Sequence, residues 1–94
     1  MHPDDADDLD FDEFNEAHLS EGGVSTAEVM QVRCNQPVWV PNKKGRAGTW
    51  LMVGRTNGGR ALFVPVIVDD ARSRVRPISG RTCEKSEVER WLKS

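Results

Sequence analysis

Thr49-Trp50-Leu51-Met52-Val53-Gly54-Arg55-Thr56-Asn57-Gly58-Gly59-Arg60-Ala61-Leu62-Phe63-Val64-Pro65-Val66-Ile67-Val68 holds two apolar runs joined through Asn57-Gly58-Gly59. Asn and Gly tolerate the positive φ that a tight hairpin needs, so the stretch predicts two antiparallel strands and a turn at 57 to 59. Pro65 has no amide donor, which restricts it to an edge, a bulge or an outward-facing position off the ladder. Trp50 is expected in the sheet core.

Outward from the hairpin, Val38-Trp39-Val40 forms a brief strand, followed by a basic, turn-rich loop from Pro41 to Arg46. After the turn Asp69-Asp70-Ala71, strict alternation places Arg72, Arg74 and Arg76 on one side of a strand and Ser73, Val75 and Pro77 on the other. The chain turns again at Ser79-Gly80 and ends in a helix from about Glu84 to Lys93. There Glu84, Val88 and Trp91 recur at helical spacing, and Glu87 and Arg90 lie one turn apart. Toward the N-terminus, Ser25-Thr26-Ala27-Glu28 has the spacing of a capping box, with Val24 and Val29 placed for a hydrophobic staple. The helix it starts reaches about Val32. An earlier helix runs from Asp12 to the stop at Gly22-Gly23. Leu9 and Phe11 alternate with acids, as in a short edge strand or the start of a helix.

With 94 residues the chain has room for one core. We expect residues 1 to 8 to be a disordered acidic leader and 9 to 94 a single α+β domain: two short helices, a three- to four-stranded antiparallel sheet and a terminal helix. No apolar run reaches membrane-spanning length, and the acidic N-terminus is unlike a signal peptide, so a cytoplasmic protein without a membrane partner is expected. Cys34 and Cys83 allow at most one disulfide, which a reducing compartment disfavours, and no metal-ligand spacing or cofactor fingerprint occurs. No metal and no cofactor are therefore expected.

Charge is divided along the chain. Residues 1 to 29 carry ten of the fifteen acids and no Lys or Arg, which leaves all thirteen bases to face five acids in residues 30 to 94. Such a body suits a polyanion or an acidic protein, or the bases form a solvated face. A leader folded back over the basic face is a further reading. RNA cleavage through the 2′-oxygen needs a base, positive charge at the phosphorane and an acid for the leaving oxygen. Arg76 and Arg81, with Glu87 as base, are the candidates. Lys43, Lys44, Arg46, Arg72 and Arg74 would hold the backbone, and Trp91 or Trp39 would stack an unpaired base. The plainer readings are a surface pair of Glu87 with Arg90 or Lys93, core packing of Trp91, and a structural His18. A glutamate near arginines also has a lowered pKa, which weakens it as a base.

Several segments together resemble BrnT-type toxins. These are the opening Phe11-Asp12-Glu13-Phe14-Asn15-Glu16-Ala17-His18-Leu19 with Gly23-Val24-Ser25, the hairpin Gly54-Arg55-Thr56 with Gly59-Arg60, and Ile78-Ser79-Gly80-Arg81 followed by Glu87 and Trp91. The resemblance spans about residues 9 to 92. It implies a RelE-like fold and a bacterial type II toxin, a metal-independent endoribonuclease acting on RNA. A BrnA-like antitoxin would hold it silent, and operator DNA would be bound only through that antitoxin. Carried over by position, Arg60, Arg81 and Glu87 fall on the basic catalytic face, and His18 matches the first histidine of the opening motif. Arg76 is added from strand geometry alone. Gly22 stands where the family has a second histidine, Gly80 where it has a small residue such as Ala, and Cys83-Glu84 where it has Ala-Thr. A catalytically inactive homologue that binds nucleic acid or protein is the alternative.

Overall fold

The computed structural model describes residues 1 to 43 and 49 to 93. A 3-10 turn at Pro3–Asp5 is followed by β1 (Asp8–Leu9), α1 (Glu13–Glu21), α2 (Thr26–Cys34), β2 (Val38–Pro41), β3 (Trp50–Arg55), β4 (Ala61–Asp69), β5 (Arg74–Pro77) and β6 (Arg81–Thr82). The terminal helix, α3, starts as an α-turn at Lys85–Glu87 and continues as a π-helical stretch at Val88–Leu92. The α+β class is as expected. The sheet is larger than expected, with six strands in the order β1-β5-β4-β3-β2 and β6 also paired to β4. It is mixed, because β1 runs parallel to β5 while the other pairs are antiparallel.

The hairpin forms where the two apolar runs predict it, with Met52 opposite Val64 and Val53 opposite Phe63. Its positive φ falls on Gly59, at 89°, and the Gly59 amide donates to the Thr56 carbonyl. Pro65 sits in the central strand, opposite Leu51. Its carbonyl accepts from Ile78 at 2.9 Å, and its nitrogen on the same side faces the break between β5 and β6, where the ladder needs no donor. Of the readings open to Pro65, the outward-facing position off the ladder is therefore the one the fold uses.

Opposite residues of a pleated sheet share a face. Met52, Leu62, Val64, Val66 and Val75 line the inner face and join Leu19 of α1 with Val24, Val29 and Val32 around α2 in one core. Both helices start with reciprocal caps. Asp12 accepts from the Phe14 and Asn15 amides, while Asn15, buried at 2% exposure, returns a bond to the Asp12 amide and donates to the Asp10 carbonyl. Ser25 and Glu28 form the predicted capping box. α1 ends with Gly23 at φ 75° and the Val24 amide on the Leu19 carbonyl, a Schellman closure. Among the described residues no helix is long and apolar enough to cross a membrane.

The leader is not disordered. Pro3 and Ala6 are buried, Arg33 donates to the Asp4 and Ala6 carbonyls, and the Trp39 indole donates to Asp4 at 3.2 Å. His2 stands edge-on to Trp50 with ring centroids 5.0 Å apart. The Asp7 amide donates to Ser73, and the terminal amine meets Asp70 at 3.1 Å. Acidic composition alone suggested a solvated tail, but two small apolar residues and a row of backbone acceptors suffice to seat it over the tryptophans.

Candidate functional site

The division of charge along the sequence largely disappears in space. Asp4 lies 3.8 Å from Arg33, and Glu28 lies 2.9 Å from Arg60. Arg72, Arg74 and Arg76 converge on Asp10 at 4.0, 3.9 and 3.7 Å, and Arg76 also holds Asp12. The Asn15 amide, with Arg76 behind it, keeps the Asp12 carboxyl below its ordinary pKa. β5 begins at Arg74, after Ser73 at φ 54°, so Arg72 belongs to the turn and the strict alternation fails there. Arg74 and Arg76 do share the outer face, while Val75 and Pro77 are buried on the other. The basic row is thus neutralised by the segment around β1 and the cap of α1. It is Asp10 and Asp12, more than the first eight residues, that screen it.

Arg60 occupies a structural junction. Its guanidinium donates to Glu28, to the Gly23 carbonyl at 2.8 Å and to the Thr82 hydroxyl at 2.8 and 3.1 Å, tying the start of β4 to α2 and β6. The Ser25 backbone, then Arg60, depress the Glu28 pKa. With Arg60 35% exposed, solvent screens the ion pair, so the hydrogen bonds to Thr82 and Gly23 carry most of its contribution. Arg60→Ala is expected to cost about 2 kcal/mol in chemical denaturation. A group with a depressed folded pKa contributes stability above its unfolded pKa and loses it as pH falls through the folded value. The gap between wild type and variant should therefore hold above about pH 4.5 and narrow below it.

A different set of residues meets on the outer face. Arg81 of β6 lies opposite Phe63 of β4, and its guanidinium carbon stands 4.1 Å from the centre of that ring. Both terminal nitrogens of Arg81 reach Glu87 of α3, at 2.6 and 2.8 Å, a bidentate fork. Glu87 also accepts from the Glu84 amide at 2.7 Å. Trp91 packs beside Phe63, with ring centroids 6.0 Å apart, and Arg90 lies over the indole at 5.2 Å. Phe63, Glu87, Arg90 and Trp91 line a cleft of about 360 Å³ between β2, β3 and α3 together with Lys43 and Leu51, and Arg81 adjoins it through Glu87. Arg81 pulls the Glu87 carboxyl below its usual pKa, and Glu87 in turn raises that of Arg81. Burial pushes up the neighbouring Cys83 thiol, and both cysteines are free.

Of the sequence candidates, Arg81, Glu87, Trp91 and Lys43 are therefore brought together. Arg60, Arg72, Arg74 and Arg76 lie elsewhere, each paired with an acid. His18 is exposed on α1, 3.6 Å from Glu21, and lines a separate groove with Phe14, Ile67 and Arg76. Lys44 and Arg46 lie outside the described residues. Arg81 takes Glu87, so the surface pairing of Glu87 with Arg90 or Lys93 is not the one formed. Phe63 was not singled out from the sequence, and Arg90 was read there only as a surface partner of Glu87. The alternation of β4, which turns Phe63 to the face opposite Leu62 and Val64, was the available signal for the first. Lys43 and Arg90 form no ion pair with an acid among the described residues, so uncompensated positive charge remains at this cleft. Comparison with protein-family models, with curated proteins and with solved structures finds no match for this chain.

Proposed function

We propose that the protein is a metal-independent endoribonuclease acting at the outer-face cleft, the toxin half of a type II toxin-antitoxin pair of BrnT type with a RelE-like arrangement. One observation carries this reading: a glutamate forked to Arg81 lines a cleft together with an indole and two cations that have no acidic partner among the described residues. Arg81, Arg90 and Lys43 supply positive charge where a phosphorane would form, and Trp91 offers an aromatic surface for an unpaired base. Glu87 takes the 2′-hydroxyl proton as the 2′-oxygen bonds to phosphorus. The 5′-oxygen bond breaks to leave a 2′,3′-cyclic phosphate, with water in the open cleft protonating the leaving oxygen and the resulting hydroxide returning Glu87 to its carboxylate. A BrnA-like antitoxin, itself the operator-binding partner, would keep the enzyme silent.

In this reading Arg60 and Arg76 act through the fold, and His18 has no part in the chemistry. The test is cleavage of end-labelled RNA by the purified chain in EDTA. Arg81→Ala is expected to lower the rate about 100-fold or more, the scale of losing one group that stabilises developing charge. Intact RNA after prolonged incubation with folded wild-type protein would defeat the proposal. A second reading, a homologue that binds nucleic acid without turnover, is favoured by the closed fork, because a carboxylate held below its usual pKa by Arg81 is a poor base. Affinity that falls steeply with salt and no cleavage product would identify it.

A further inference from the structure

The fork between Arg81 and Glu87 is closed upon itself. Each terminal nitrogen of Arg81 faces one carboxylate oxygen, at 2.6 and 2.8 Å. A guanidinium presents those same two parallel donors to the two non-bridging oxygens of a phosphodiester. Phe63 lies against the guanidinium at 4.1 Å, so the plane of Arg81 is held by something other than its carboxylate partner. Glu87 has a second donor of its own, the Glu84 amide at 2.7 Å, which can retain the carboxylate when Arg81 releases it. The Glu87 side chain is 15% exposed and lines the cleft, and Arg90 and Lys43 line it too. An entering anion is therefore drawn to the place where the fork can be opened.

We propose that a phosphodiester exchanges with Glu87 on Arg81: the diester takes the two guanidinium donors, and the displaced carboxylate stays on the Glu84 amide within the cleft. The base of the reaction is thus held in check until substrate phosphate frees it. The task of the freed carboxylate rests on the ribonuclease reading, while the exchange itself does not. One charge-assisted fork replaces another, so the trade is nearly even, and the carboxylate is both a competitor for the guanidinium and a repelling charge beside the bound diester. Loss of the Arg81 contact removes the main cause of the lowered Glu87 pKa, so proton affinity returns to the carboxylate on substrate binding.

The experiment uses the full chain and thymidylyl-thymidine, a diester that lacks the 2′-hydroxyl and cannot be cleaved. Glu87→Gln keeps an acceptor for the Glu84 amide and removes the competing charge. It is expected to bind the dinucleotide about tenfold more tightly than wild type or better, the fold-change for about 1.4 kcal/mol. In wild type, carboxylate NMR should show the Glu87 pKa rising when the dinucleotide saturates the cleft. Glu87→Ala should also gain affinity, which guards against a local effect of the glutamine, and Arg81→Ala should lose it. Equal or weaker binding by both Glu87 variants, or a Glu87 pKa that does not move at saturation, overturns the exchange even if the protein cleaves RNA. Tighter binding by both variants supports the exchange even if no RNA is cleaved, in which case only the ribonuclease reading falls.

Discussion

Removing residues 1 to 8 is expected to lower the stability of the domain by about 3 to 5 kcal/mol, and its melting temperature by about 15 °C or more. The deletion takes away the buried Pro3 and Ala6, the two carbonyl acceptors of Arg33 and half of β1. It also uncovers Trp39, which donates to Asp4, and Trp50, which meets His2 edge-on. Tryptophan emission should therefore shift to the red in the truncated chain before any unfolding. A solvated tail would give neither effect, so unchanged melting and emission would refute the seated leader.

The second large effect is expected at a glycine whose backbone is ordinary. Gly22 has φ −83°, so no left-handed conformation reserves the position for glycine. The reason is close approach: a Cβ there would lie 1.7 Å from the Gly80 carbonyl oxygen, where the end of α1 meets the link between β5 and β6. That neighbour is backbone on both counts and cannot rotate away. Gly22→Ala is expected to cost about 3 kcal/mol in denaturant unfolding, the upper part of the range for overpacked sites. Gly80→Ala meets the end of the Leu19 side chain at 2.9 Å, which can shift, and should cost about 1 kcal/mol. If the two variants proved equally mild, the close contact between helix end and strand link would be wrong. A larger side chain at 22 would likewise have no room beside this link.

What was legible in the sequence was local. The hairpin, the capping box at Ser25 and Glu28 and the stop at Gly22-Gly23 depend on residues within a few positions of each other, and the structure has each of them. The leader and β1 were illegible because their partners are remote: Asp4 meets Arg33 and Trp39, and Asp8 pairs with Arg74. Charge misled for the same reason. The arginine row of β5 suggested an anion track, whereas Asp10 and Asp12, more than sixty residues earlier, occupy it. Arg81, Glu87 and Trp91 were singled out by the chemistry of their side chains near the end of the chain, and the resemblance points to the same three. Phe63, which sets the plane of Arg81, was hidden in a run of apolar residues until the strand register assigned it to the outer face.

The placement of β1 also bears on the order in which the molecule assembles. Its two residues pair in parallel with β5, across some 66 positions of chain, and they have no hairpin neighbour to hold them near their seat. Closing so long a loop is entropically costly for so short a ladder, whereas β3 and β4 meet through a turn of a few residues. β1 is therefore expected to be the last strand to find its place. It waits for a partner some 66 residues further along, and on partial opening it is the first to leave, exposing the tryptophan-lined seat while the central strands are still joined.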